Sequence, residues 1–267
     1  MSTTICSPNH AISACEVGRL GSSTTVTINI TSSCGTHWGS YAAPTVQLPV
    51  NSVSIPKDFV GFVESDGYLS IEAEHTTRNT AIDGISYSTL PSHGRTLSGV
   101  TLMPVLAPSQ PTGTGPVLEY DIFTFTSNST ASVTLLISPS QNQNGALRPL
   151  KYGVAFDAET PQTIQFVGNY TGGGYPPSWE GAVSDGVWGL SASGNTTTTL
   201  HNLSKTRKHT LKVWAVEPGV VFQKIIINLG GLRYSYLGPP ESFRAGVDKL
   251  GVYDGTNFAG IQVQVVI

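Results

Sequence analysis

Hydrophobic and polar residues alternate with period two along much of this chain, and that period belongs to half-buried strands. Thr24–Thr31 places Val26, Ile28 and Ile30 on one face and predicts a strand. From Ser33 to Lys57 the pattern loosens into Gly- and Pro-containing sequence that reads as a crossing or linker. A regular series follows. Phe59–Val63 is a short apolar strand, and Asp66-Gly67 is a hairpin-type turn signal. In Tyr68–His75, Leu69, Ile71 and Ala73 face one way, while Ser70, Glu72 and Glu74 face the other. Strands are predicted over Thr96–Val105, Val117–Phe125, Ser132–Ser138, Leu150–Asp157, Thr210–Glu217 and Val220–Leu229, with Pro218-Gly219 as a tight connection. Trp179–Trp188 suits one short helix ended near Gly189; Gly172–Pro177 reads as a long surface loop and Asn195–Thr199 as a polar loop tip. Trp188 and Trp214 are candidate core residues, with both faces of the strand around Trp214 buried. Short strands separated by turn signals predict an all-β sandwich or jelly roll, not βαβ units.

Composition narrows the function classes. Charged residues make up 12% of the 267 residues, well below the roughly 25% of ordinary globular chains. Disorder is excluded by 39% hydrophobic residues and a net charge of −3. Nucleic acid is not an expected partner, because the basic residues cluster only at Lys205, Arg207, Lys208 and His209. Nor is a membrane, since no apolar run approaches the roughly 20 residues that span a bilayer. The N-x-[ST] triplets at Asn29, Asn128, Asn169, Asn195 and Asn202 favour a secreted, N-glycosylated protein. The Met1 start lacks an apolar signal region, so a partial chain is expected. Cys6, Cys15 and Cys34 all precede residue 35; they allow one disulfide with a leftover thiol and form no zinc-type spacing.

Candidate chemistry is sparse. Gly189–Gly194 lacks the spacing of a nucleophile elbow. Glu72 with Glu74, and Glu119 with Asp121, stand two apart and point the same way. They cannot flank a glycosidic bond alone and suit a hard cation such as Ca²⁺ better, or simply a solvated face. Tyr175 and Trp179, on or beside the long loop, are candidate carbohydrate platforms, because pyranose C–H faces stack on aromatic rings; helix-to-sheet packing is the other reading of Trp179.

Longer stretches resemble a known family. Gly61–His75, Leu90–Val100, Pro149–Asp157, His209–Val221 and Ser235–Ser242 are similar to the C-terminal domain of glycoside hydrolase family 115, the last as its closing motif. The resemblance implies a β-sandwich of carbohydrate-binding-module type over 58–244, preceded by a partial β-rich segment over 1–57 and followed by an unmatched tail over 245–267. The family consists of xylan α-1,2-glucuronidases, which remove (4-O-methyl)glucuronic acid from xylan. Its catalytic carboxylates belong to a preceding barrel, so the resemblance implies an accessory domain with no catalytic residue of its own. The implied partners are a missing upstream catalytic domain, xylan and a second copy of the chain. A free-standing carbohydrate-binding module for xylan-type polysaccharide is the alternative. Ile71–Glu74, Leu118–Asp121 and Gly219–Ile225 also resemble jelly-roll modules in which an early Glu-Ala-Glu helps hold Ca²⁺. Here the acidic partner's position falls on Gln223, and Lys224 is placed to serve as counter-charge for Glu72 and Glu74 instead.

Overall fold

A computed structural model describes residues 23–29, 45–51, 55–126, 130–170, 174–190, 197–203 and 207–248. The cysteines, Asn128, Asn195, the Ser191–Gly194 stretch and the tail from residue 249 lie outside the described residues. The chain divides into two compact units. In the first, β1 (Ser23–Asn29) pairs antiparallel with β2 (Thr45–Asn51), Ser23 opposite Asn51. The sequence reading of 33–57 as a linker therefore missed a strand. Its Pro49 and scattered apolar residues obscure the alternation that marks β1.

The second unit, Asp58–Asp248, is a β-sandwich. Its elements are β3 (Gly61–Val63), β4 (Tyr68–Glu72), β5 (Arg78–Thr80), β6 (Ser86–Leu90), β7 (Gly99–Met103), β8 (Val117–Phe123), β9 (Thr130–Ile137), β10 (Lys151–Phe156), β11 (Gln162–Gln165), α1 (Trp179–Asp185), β12 (Thr198–Asn202), β13 (Lys208–Ala215), β14 (Phe222–Asn228) and β15 (Arg244–Ala245). One sheet runs β11-β10-β13-β8-β3-β15, with β5 also on β8; the other runs β12-β9-β14-β7-β6, with β4 also on β14. Neighbours are antiparallel except β3 and β8, which are parallel.

The period-two pattern aims the core. Leu118, Tyr120 and Ile122 of β8, Tyr152 and Val154 of β10, and Leu211 and Val213 of β13 face inward from one sheet. Val133, Leu135 and Ile137 of β9, Ile225 and Ile227 of β14, and Leu69 and Ile71 of β4 meet them from the other. Each such side chain stabilises the fold by about 1.5–3 kcal/mol. A β-bulge between Phe222 and Lys224 shifts β14 by one residue, so Phe222 shares the core with Ile225 and Ile227 although its parity differs. The same bulge leaves Lys224 buried on the outer side, at β4.

The Asp66-Gly67 turn forms as its chemistry demands, with both residues at positive φ. It closes a hairpin one pair long, in which Ser65 and Tyr68 exchange both backbone hydrogen bonds (3.1 Å each); beyond that pair β3 and β4 belong to opposite sheets, so the turn is also a corner. Pro218-Gly219 likewise carries the chain from β13 in one sheet to β14 in the other. The polar face of β4 is covered too. Ser242 Oγ accepts the Ser70 N–H (2.9 Å), Glu241 Oε1 accepts the Glu72 N–H (3.1 Å), and the Ser242 N–H donates to Ser70 O (2.8 Å). The Pro-Pro-Glu-Ser closing segment thus seals an edge that would otherwise offer free donors.

Candidate functional site

The strand register gathers the candidate loops at one end of the sandwich. β7, β9, β11 and β13 end there, while β8, β10 and β14 begin there. Loops 104–116, 138–150 and 216–221, with residues 166–170 and 174–178, therefore adjoin, and hydrogen bonds tie them together. Arg148 Nη2 donates to Glu217 Oε2 (2.6 Å) and to Ala107 O (3.0 Å). Gln143 Nε2 reaches Pro218 O (2.8 Å), the Gln110 N–H reaches Val216 O (2.7 Å), and the Tyr170 hydroxyl reaches Gln141 Oε1 (3.1 Å). Glu217, its side chain 2% exposed, also takes the Ser109 hydroxyl. A carboxylate this buried requires a charged partner, and Arg148 is it. Leu106 and Leu147 stand exposed at the tips of two of these loops.

Both candidate aromatics belong to this end. The helix α1 starts after Ser178 and stops at Gly186, whose left-handed conformation lets its N–H bond Val183 O (3.2 Å). The stop comes before the expected Gly189. Trp179, half-buried, packs against the core and leans on the buried Trp188 (6.2 Å between ring centroids). Tyr175 lies parallel to Trp179, with centroids 6.1 Å apart and planes at 16°. Two rings that sandwich a sugar need roughly 7 Å between them, twice a van der Waals contact. These rings stack on each other instead, leaving the outer face of Tyr175, 68% exposed, as the platform. Trp179 thus combines packing with support of that platform.

The carboxylate pairs take different paths. Glu72 is buried and accepts the Thr96 hydroxyl at 2.7 and 2.9 Å, while Lys224 Nζ stands 3.0 Å from its Oε1. Lys224 also donates to Pro239 O (3.2 Å). Glu74, half-buried, does not join them. Gln223 turns away: its Oε1 accepts the Arg95 N–H (2.9 Å) and its Nε2 donates to Ser138 Oγ (2.8 Å). These residues do not fit a divalent cation, because Glu72 is already occupied by an ammonium and a hydroxyl. Among the described residues no cluster of three or more His, Cys, Asp or Glu could hold a metal.

Glu119 and Asp121 are bridged by Arg78 of β5, a residue the sequence reading did not single out. Arg78 Nε bonds Glu119 Oε2 (2.9 Å), and its two terminal nitrogens bond Asp121 at 2.7 and 2.9 Å. Burial pushes the Asp121 carboxyl up, but hydrogen bonds from Arg78 and Thr210 with the Arg78 charge outweigh it and hold the carboxyl below its ordinary value. The pair therefore belongs to a charged network on the outer face of its sheet. Beside it, a cavity of about 390 Å³ is lined by Phe59, Asp121, Lys208 and Thr210 among others. Of the glycosylation triplets, Asn169 and Asn202 are exposed, and Asn29 ends β1.

The model of the glycosyl hydrolase family 115 C-terminal domain matches residues 61–241. No curated protein matches the chain. Among solved structures, a family GH115 4-O-methyl-α-glucuronidase with specificity for decorated arabinogalactans is similar at 11% identity and TM-score 0.40, over 67% of this chain and 19% of that one. The chain therefore spans about a fifth of that enzyme's length. The C-terminal CBM6 of a laminarinase from Zobellia galactanivorans is similar at 15% identity and TM-score 0.33, over 60% of this chain and 98% of the module. A carbohydrate-binding module from a Cellvibrio mixtus lichenase, in complex with cellotriose, is similar at 19% identity and TM-score 0.32, over 60% of this chain and 95% of the module.

Proposed function

This chain belongs to the glycosyl hydrolase family 115 C-terminal domain family, and from that premise we propose that it is an accessory domain of a xylan α-1,2-glucuronidase. Its role is to pack on the catalytic part of a longer enzyme that removes (4-O-methyl)glucuronic acid branches, and to contact the polysaccharide through Tyr175 and Trp179. The observation that carries the reading is the family match over 61–241, which falls inside the compact unit 58–248. The state of the carboxylates supports it. Glu72, Glu119, Asp121 and Glu217 are each held by Lys224, Arg78 or Arg148, which leaves none of them free to serve as nucleophile or general acid. Secretion and N-glycosylation at the exposed Asn169 and Asn202 belong to the same reading. So does a homodimer, for which the exposed Tyr234, Tyr236 and Leu237 offer an apolar strip.

A free-standing carbohydrate-binding module is the second reading, favoured by the exposed, supported ring of Tyr175. Incubation of the full chain with glucuronoxylan, followed by assay of free uronic acid, tests the absence of independent catalysis. No release is expected, and release would overturn the accessory reading. Affinity electrophoresis in glucuronoxylan tests the contact: retardation that is lost in Trp179→Ala is expected, and an unretarded wild type would refute it.

A further inference from the structure

The branches that the parent family removes are anionic, but the loop end that carries Tyr175 has no cation to offer them. Loops 104–116 and 166–178 contain no charged residue. Loop 138–150 contains only Arg148 and loop 216–221 only Glu217, and these two neutralise each other. The charges flanking the loops do not alter this: Arg95, packed on Gly186 at the end of α1, is held by the Tyr236 carbonyl and ring. Lys151 opens β10 with parity opposite to the inward Tyr152, so it belongs to the outer face of its sheet. Glu180 follows Trp179 in α1, exposed and anionic, and opposes any nearby uronate.

What the loop end does offer is uncharged. The Tyr175 ring is fixed from behind by Trp179, which itself leans on Trp188, so presenting it forfeits little side-chain freedom. Gln141 receives the Tyr170 hydroxyl on Oε1. Its NH₂ group has no partner among the described residues and can donate to hydroxyl oxygens. Charged groups lie instead on the outer sheet face, in the Arg78–Glu119–Asp121 network.

We propose that the loop end around Tyr175 binds an uncharged stretch of glycan, the unsubstituted backbone, and does not read the uronic acid. This rests on the carbohydrate-contact reading above and narrows it. In an assembled enzyme the domain would then hold the polymer by its undecorated stretches, and binding would persist as branches are removed.

Isothermal titration calorimetry of the full chain against xylohexaose, cellohexaose and mannohexaose, and against a xylohexaose bearing one 4-O-methylglucuronic acid, tests it. At least one uncharged hexaose is expected to bind, with affinity unchanged between about 0.02 and about 1 M NaCl, where screening removes attraction between exposed charges. The uronate-bearing oligosaccharide should bind no tighter than plain xylohexaose. Tyr175→Ala should weaken binding about tenfold or more. Gln141→Ala, which leaves the aromatic stack untouched, should weaken it severalfold. Tenfold preference for the uronate-bearing ligand, or a steep loss with salt, would overturn the proposal while leaving the carbohydrate contact standing. Binding unaffected by both substitutions would place the site elsewhere and overturn it as well. Failure of every sugar to bind would remove the carbohydrate contact itself.

Discussion

Glu72 lies in a protein interior that tolerates a carboxylate only because Lys224 faces it. Removing one partner of such a buried pair costs about 3–5 kcal/mol, because the remaining charge is stranded away from water. Lys224→Met should therefore lower the unfolding free energy by that amount in a urea titration, and Lys224→Met with Glu72→Leu should recover much of it. Chelation by EDTA or addition of Ca²⁺ should leave the wild-type Tm unchanged; a rise of several degrees with Ca²⁺ would refute the built-in counter-charge. Asp121 makes a pH-dependent case. Its folded-state carboxyl titrates below the unfolded one, so it stabilises the fold above the unfolded value of about 4. That contribution is lost as pH falls through the folded value. Asp121→Asn should cost about 1 kcal/mol at neutral pH, the scale of a partly exposed ion pair, and the gap should close under acid. A gap that persists at pH 2 would show that packing, not charge, is lost. Lys224 was legible as a counter-charge because it follows Gln223 in an aligned strand. Arg78 was not, since one charge in a short polar segment carries no periodic signal.

At the level of elements, the strands recovered from sequence are β1 and, in the sandwich, β3, β4, β7, β8, β9, β10, β13 and β14, each of these last placing side chains in the core between the sheets. The strands missed are edge or short pieces. β5 is exposed throughout, and β11 and β12 alternate only over a few polar residues. In β12 the inward position after Thr199 is His201, and no run of aliphatics reveals the pattern. The Asp66-Gly67 signal correctly specified a backbone shape but not a partner strand, because turn chemistry says nothing about which sheet receives the next residue. Close approach explains why this corner and its neighbours are rich in glycine. A Cβ on Gly231 would overlap the Asp66 carbonyl, and one on Gly61, at positive φ, the Asp121 carbonyl. Gly61→Ala should destabilise by about 1–3 kcal/mol, read by thermal melting, through both strain and clash. Ser242→Ala should cost about 1 kcal/mol by freeing the Ser70 N–H at the β4 edge.

For the molecule as a whole, the informative quantity is the mass of the native product. An antibody against residues 58–244 should detect, after deglycosylation, a band several times heavier than 28 kDa if this domain works within a longer glucuronidase. A band at 28 kDa would identify a separate product and favour the free-standing module. A downward mobility shift on enzymatic deglycosylation is expected from glycans at Asn169 and Asn202, and its absence would refute their occupancy. The sandwich also has a mechanical consequence. Its first and last strands are neighbours, with Gly61 opposite Ala245 and Gly246 packed beside Val60. The polypeptide thus enters and leaves at a single point, like a stalk. Tension applied through that stalk would break the β3–β15 bonds one after another, as a zipper opens, instead of loading them together in shear. The body of the sandwich would remain folded while this seam peels, giving the domain a compliant attachment to the rest of its chain.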